Sequence, residues 1–282
     1  LAAIKTDNGM NNKCLLKRIS YGTNNNQFGD LRIPVAGEGP FPLAVIIHGG
    51  FWKKQFGLEQ MNDFAEKYAS HGIATWNIEY RRVGQDGGGW PGTFLDSARS
   101  IESLKIIAED HPVDLKRVII IGHSAGGHLA LWLAARNKLL SNSILRQQDR
   151  MLEPKGVISL AGVSDLILMY EIHQWKEKLF GVIENPTRDL IGGKPNEYAQ
   201  RYAEGSPKEL LPIGIPLVLF HGALDVNVPI GLSVNFKKIA ESAGDNVVLK
   251  TFPNIEHFEL IDPMSEVWSI IWDHTVSLLN NT

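Results

Sequence analysis

The sequence predicts an α/β fold, a mostly parallel central sheet with helices on both faces. Three observations predict it. Short apolar runs rich in β-branched residues alternate with stretches whose apolar residues recur every three or four positions. The runs lack the in–out alternation of a sheet with one wet face, so they read as strands covered on both sides. The spacing between most of them leaves room for one helix each, which is the signature of parallel strands joined by crossovers.

Residues 17–34 have no helix between their strand-like halves and predict an antiparallel edge hairpin. Pro42 to His48 is a continuous apolar run ending in Gly49-Gly50, a strand buried on both faces. Leu58, Met61, Phe64, Ala65 and Tyr68 then mark a helix, with Gly72 placed to cap its C-terminus. Ile73 to Tyr80 reads as the next strand. Thr93 and Asp96 have the spacing of a capping box, opening a helix with the stripe Ala98, Ile101, Leu104 and Ala108. Val118 to Ile121 is a strand and Ser124 to Arg136 a helix. Gly156 to Leu160, Pro216 to His221 and Val247 to Phe252 are later strands. Leu232, Phe236, Ile239 and Ala240 mark a helix ending near Gly244, and Val267, Ile270, Ile271 and Leu278 mark the last one.

With 282 residues, 44% of them apolar, the chain can bury a large core, and no repeat, linker or composition shift divides it. A single domain spanning 1–282 is expected. Residues 165–212 break the alternation. A structureless loop of that length is unusual, and the segment carries Tyr170, Trp175, Phe180, Tyr198 and Tyr202, so it predicts a small helical cap. Following a strand's C-terminal end, it stands over the edge where open α/β sheets bind ligands. Lys plus Arg number 28 against 31 Asp plus Glu, a net charge of −3 that argues against nucleic acid as a partner. No run approaches the ~18 apolar residues needed to span a bilayer, so no membrane partner is expected. The lone cysteine, Cys14, excludes an intrachain disulfide framework and a thiolate metal site. The first ten residues lack a charged segment followed by an apolar core, so no intact signal peptide is read there, and low cysteine use makes a cytoplasmic location the expectation.

The most specific motif is G-x-S-x-G, formed by Gly122-His-Ser-Ala-Gly126 between a β-branched strand and an Ala/Leu-rich helix. A very tight strand-to-helix turn exposes the Ser124 hydroxyl, and only small residues two before and two after leave room for it. The helix N-terminus favours negative charge developing beside the serine. A dinucleotide cradle fits poorly, because Ser124 stands where G-x-G-x-x-G has its second glycine, and no lysine follows to make a phosphate loop. A purely structural turn is the bland alternative.

A serine hydroxyl needs a base, and the base an orienting acid. Of nine histidines, His48, His123, His128 and His221 lie in or beside core strands or the serine helix and read as packed groups. His71 and His111 stand at element ends, His173 in the cap and His274 on the last helix. His257 alone lies in a loop after the last strand, where a base belongs. Asp225, four residues beyond a strand end, is the expected acid. Asp165 competes but also reads as a helix N-cap. Backbone N–H donors for an oxyanion are expected from Ala125 and from the loop His48-Gly-Gly-Phe-Trp52, through Gly50 or Phe51.

Together these pieces resemble the α/β-hydrolase superfamily over residues 17–279. His48-Gly-Gly-Phe-Trp52 is similar to the HGGxW motif of arylformamidase-like hydrolases and related feruloyl-esterase-type carboxylesterases. Asn77-Ile-Glu-Tyr-Arg-Arg-Val-Gly84, Gly87-Gly-Gly-Trp-Pro-Gly92 and Glu204-Gly-Ser-Pro-Lys-Glu-Leu-Leu-Pro212 are similar to a bacterial branch of these enzymes. The resemblance implies an α/β-hydrolase fold, the triad Ser124, Asp225 and His257, and hydrolysis of a small acyl substrate without metal or cofactor. A carboxylic ester is the expected substrate, an aryl formamide the alternative, and a non-catalytic binding protein the reading from another class. Trp52, Trp90, Tyr170, Trp175, Phe180 and Phe258 are candidates to line a modest apolar pocket, although aromatics pack in cores more often than they face ligands.

Overall fold

The β-branched runs become the middle of one sheet. The computed structural model describes residues 14–146, 152–181 and 184–280, so the first ten residues, read above for a signal peptide, lie outside the described residues. Its strands are β1 (Cys14–Ser20), β2 (Phe28–Pro34), β3 (Phe41–Ile47), β4 (Ala74–Ile78), β5 (Val113–His123), β6 (Gly156–Leu160), β7 (Leu217–Gly222) and β8 (Val247–Phe252). Their order is β1-β2-β4-β3-β5-β6-β7-β8. Strand β2 runs antiparallel to both neighbours, and every other neighbouring pair is parallel. The expected edge hairpin is therefore present, pairing Cys14 with Pro34 through Ser20 with Phe28.

Alternate residues of β3 explain why its sequence is apolar throughout. Leu43, Val45 and Ile47 enter the core on one face of the sheet, while Ala44 and Ile46 enter the core on the other. The first core is covered by α2 (Gly92–Glu102), α4 (Ala125–Ala135) and α8 (Gly231–Ser242), the second by α1 (Asn62–Ser70) and α9 (Trp268–Asn280). The helix α3 (Leu104–Asp110) adds Leu104 and Ile107 to the first. Residues between β6 and β7 fold into α5 (Leu166–Phe180), α6 (Pro186–Ile191), α7 (Ala199–Gly205) and the 3-10 turn Pro207–Leu210. Asp165 caps α5 by accepting from Leu168 N at 3.1 Å. Among the described residues no helix is long and apolar enough to cross a membrane.

The capping box expected at Thr93 and Asp96 does not form. Pro91 occupies the N-cap of α2 with no side-chain cap bond. Asp96 is fully buried and receives Arg81 Nε and Nη2 at 2.7 and 2.8 Å and Gln27 Nε2 at 2.7 Å. A bidentate guanidinium satisfies a buried carboxylate better than one helix N–H does, so tertiary pairing displaces the local motif. The single helix expected here is also interrupted. Ser97, Ser100 and Ser103 each bond back to carbonyls three or four residues earlier, and α2 gives way to α3 at Ser103. Hydroxyls that bond back in this way bend helices.

Topology decides where chemistry can occur. Strand β3 lies beside β5, and the connections that follow them, through α1 and α4, pass to opposite faces of the sheet, so a crevice opens at the C-terminal edge. Ile47 pairs in register with Gly122, which puts the His48–Trp52 loop beside the turn containing Ser124.

Candidate active site

Ser124 joins β5 to α4 with φ 55° and ψ −118°, a conformation that is costly for any residue with a Cβ. The backbone is held there by Ser124 N donating to Leu160 O at 2.8 Å and His128 N donating to Ser124 O at 3.1 Å. Close contact explains the flanking glycines. A Cβ on Gly122 would meet Gly126 O at 2.0 Å, and one on Gly126 would meet Ile47 O at 2.1 Å. A Cβ on Gly49 would stand 2.9 Å from Ser124 Cβ, so the first loop passes directly against the serine.

Asp225 and His257 are brought together from the ends of β7 and β8. His257 Nδ1 lies 2.6 Å from Asp225 Oδ2, and both side chains are buried. Asp225 Oδ1 accepts the N–H groups of Asn227 and Val228, each at 2.9 Å. Burial by itself raises a carboxyl pKa, but hydrogen bonds from His221, His257 and Val228 N–H overcome it and hold Asp225 well below the ordinary range. His221 Nε2 lies 2.8 Å from Val228 O and 3.3 Å from Asp225 Oδ2, which fixes the acid loop from behind. An ionised Asp225 sets His257 Nδ1 as a donor and leaves Nε2 as the basic nitrogen. His123 Nε2 donates to His257 O at 3.0 Å, so the residue before the serine anchors the histidine loop. Among the described residues no hydrogen bond joins the Ser124 hydroxyl to His257, a contact often long before substrate closes a site.

The glycine loop forms a left-handed turn, with φ +95°, 50° and 57° at Gly50, Phe51 and Trp52. His48 anchors it. Nδ1 reaches Gly49 O at 2.8 Å, Nε2 reaches Glu79 Oε1 at 3.0 Å, and the ring stacks on Tyr80 with centroids 4.4 Å apart. Glu79 also accepts Leu58 N and Tyr80 N, at 3.1 and 3.0 Å. Glu79 entered the sequence reading only as part of a similar run of residues. The signal was an acid directly after a buried strand, beside the strand that ends in the glycine loop. Among the described residues, the N–H groups of Gly50, Phe51 and Ala125 have no protein acceptor.

A cleft of about 260 Å³ opens beside this loop. Its walls are Phe51 and Lys53 from the loop, His173, Lys176 and Phe180 from α5, and Val226 and Asn227 from the acid loop. Of the six aromatics considered for a pocket, Phe180 alone lines this cleft. Trp52 is fully buried and packs edge-on to His128 at 5.1 Å, because the left-handed turn directs it inward. Tyr170 is buried against Tyr202, and Trp90 packs on Phe94. Trp175 faces outward from α5. Phe258 is exposed, with its ring 5.1 Å from that of His257. His173, assigned only to the cap from sequence, meets Phe51 edge-on at 5.3 Å. Burial first, then the charges of Lys176 and Lys53, push its pKa down to about 4. Among the described residues no cluster of three or more His, Cys, Asp or Glu could hold a metal ion.

The strand order, with a serine turn directly after β5, is that of the α/β-hydrolase class. The chain belongs to the BD-FAE family, whose sequence pattern matches residues 30–239. It is similar to isoprenylcysteine alpha-carbonyl methylesterase ICME of Arabidopsis thaliana, 23% identical over 276 residues that cover 95% of this chain and 62% of that protein. The chain thus spans less than two thirds of that relative's length. It is also similar to kynurenine formamidase of Salmo salar, 24% identical over 261 residues covering 88% of this chain and 76% of that one. The solved structure of esterase B from Lactobacillus rhamnosis shares the fold with a TM-score of 0.77, at 18% identity, covering 97% of this chain and 88% of that one.

Proposed function

We propose that the protein is a serine hydrolase that cleaves small carboxylic esters through an acyl-enzyme. The observation that carries this reading is the 2.6 Å Asp225–His257 bond, set beside a serine held at positive φ. Ser124 Oγ attacks the ester carbonyl while His257 Nε2 takes its proton, and Asp225 stabilises the resulting imidazolium. The negative oxygen of the tetrahedral intermediate turns toward the N–H groups of Ala125 and of Phe51 or Gly50. Collapse breaks the bond to the leaving alcohol, which takes the proton from His257. Water, deprotonated by the same imidazole, then releases the acid and restores the serine. The helices between β6 and β7 act as a small cap over a single domain.

The same cycle cleaves a formamide when the imidazolium protonates a leaving amine, and the similarity to kynurenine formamidase makes this the second reading. Turnover of short-acyl para-nitrophenyl esters is compared with that of N-formylkynurenine, and the ester is expected to be the better substrate. A fluorophosphonate probe is expected to label Ser124. Ser124→Ala should retain only the ~10³–10⁴-fold acceleration over water that the remaining site supplies. Turnover by Ser124→Ala like that of the parent chain overturns the assignment, and unlabelled serine with retained ligand binding favours a non-catalytic binder.

A further inference from the structure

The cleft beside Phe51 carries positive charge that ester hydrolysis does not require. Lys53, one residue past the left-handed turn, and Lys176, on α5, both line it. Glu184 is the carboxylate that lines it with them. Lys53 Nζ lies 2.6 Å from Glu184 Oε2, whose side chain is 66% exposed. A pair with so exposed a carboxylate is held weakly, so an incoming anion can take the place of Glu184. Lys176 Nζ rests 3.2 Å from the neutral carbonyl of Val226, and among the described residues no carboxylate lies within ion-pair distance of it. Two cations against one displaceable anion leave the cleft with a net positive charge.

Apart from His173 and Asn227, its other lining residues are apolar. Phe51 and Phe180 face the cleft, with Val226 at its side, and His173 forms part of the wall between the two lysines. Burial lowers the pKa of His173, and Lys176 and Lys53 lower it further, as two ammonium groups close to one cleft residue do. The neutral imidazole adds no charge of its own. Phe51 belongs to both the cleft wall and the glycine loop, so the cleft adjoins the loop that is proposed to hold the oxyanion.

We propose that the cleft selects acyl substrates bearing a carboxylate a short apolar span from the scissile carbonyl, held by Lys53 and Lys176. The inference rests on the hydrolase reading above and names its substrate class. The apolar span would lie between Phe51 and Phe180, and the carboxylate would exchange with Glu184 at Lys53 while giving Lys176 a charged partner. An ammonium–carboxylate contact is stronger than the ammonium–carbonyl contact that Lys176 now makes.

The test compares kcat/KM within two isosteric pairs. Monomethyl adipate against methyl adipamate places the charge on the acyl side, and para-acetoxybenzoate against para-acetoxybenzamide places it on the alcohol side. In at least one pair the anion is expected to be favoured by about tenfold at low salt. The ratio should shrink in about 0.5 M NaCl, where screening is strong, and shrink again in the Lys53→Gln/Lys176→Gln double variant. Thermal stabilisation of the Ser124→Ala chain by monomethyl adipate reads binding without turnover and should follow the same salt dependence. Ratios near one in both pairs, with neutral esters hydrolysed, overturn the subsite and leave the hydrolase reading intact. Salt-sensitive binding of the anion without hydrolysis of any ester leaves the subsite and overturns that reading. Absence of both binding and preference overturns the subsite outright.

Discussion

His123 Nε2 donates to the backbone carbonyl of His257 at 3.0 Å, and the two rings lie 4.5 Å apart. The residue preceding the elbow serine therefore holds the loop that carries the imidazole. Burial first, then the neighbouring His257, keep His123 neutral by pushing its pKa to about 3, so it serves as a hydrogen-bond donor rather than a second base. Replacing it by Phe preserves volume and removes the donor. We expect His123→Phe to lower kcat by about tenfold with a stability loss of about 1 kcal/mol. His123→Gln, which keeps an N–H, should recover part of kcat. Unchanged kcat in the Phe variant would show that the loop is held by other contacts.

Gly50 sits at φ +95°, and a Cβ there would stand 2.3 Å from Phe56 Cβ. Gly50→Val must displace the loop and with it the N–H groups that are proposed to face the oxyanion. Loss of one such donor reduces kcat by about 10²–10³-fold, and that is the fall expected for this variant against a short-acyl ester. A fall confined to KM would place the oxyanion donors outside this loop.

How much of this could be read beforehand depended on whether the deciding contact was local. The strand ending at Ile47 was visible because its successive residues feed opposite cores, which forces every position to be apolar. The serine turn was visible because Gly122 and Gly126 are demanded by contacts within a few residues of it or across one strand pair. Asp96 was misread as a cap because its real partners, Arg81 and Gln27, arrive from other elements. Trp52 was misplaced because composition cannot show that three consecutive residues turn left-handed and point a ring inward. Lys53 and Lys176 passed unnoticed because single lysines on a loop and a helix look alike whether they face solvent or a cleft.

Asp96 yields a stability prediction independent of catalysis. Its carboxylate is fully buried, bound bidentately by Arg81 and once more by Gln27, and joins the edge hairpin to α2. Arg81 keeps part of its side chain in water, so losing its partner costs less than stranding a fully buried charge, about 2–3 kcal/mol. Asp96→Ala should lose about that much in urea unfolding, with the slope against urea unchanged. A loss below about 1 kcal/mol would mean that water already shields the Arg81 guanidinium.

The buried histidines set how stability responds to acid. His123 is pushed down to about 3, and His128 and His173 to about 4, in each case mainly by burial. In the unfolded chain each returns to about 6.5. Between those values the unfolded state binds protons that the folded state refuses, so stability is full above about pH 6.5 and falls as pH drops toward 4. Each histidine contributes a slope of about 1.4 kcal/mol per pH unit within that window. Asp225 works in the opposite sense of shift but at lower pH. Its folded pKa is depressed, so its contribution is intact above about 3.9 and is lost only as pH falls below that value. The decline between about pH 6.5 and 4 should therefore report the histidines. His128 Nε2 bonds Gly205 O at 2.8 Å, and His128→Gln retains an N–H for that carbonyl without a titrating ring. Urea unfolding at a series of pH values should show the slope reduced by about one proton in this variant, whatever its absolute stability. A slope equal to that of the parent chain would mean that His128 is protonated in the folded state as readily as in the unfolded one.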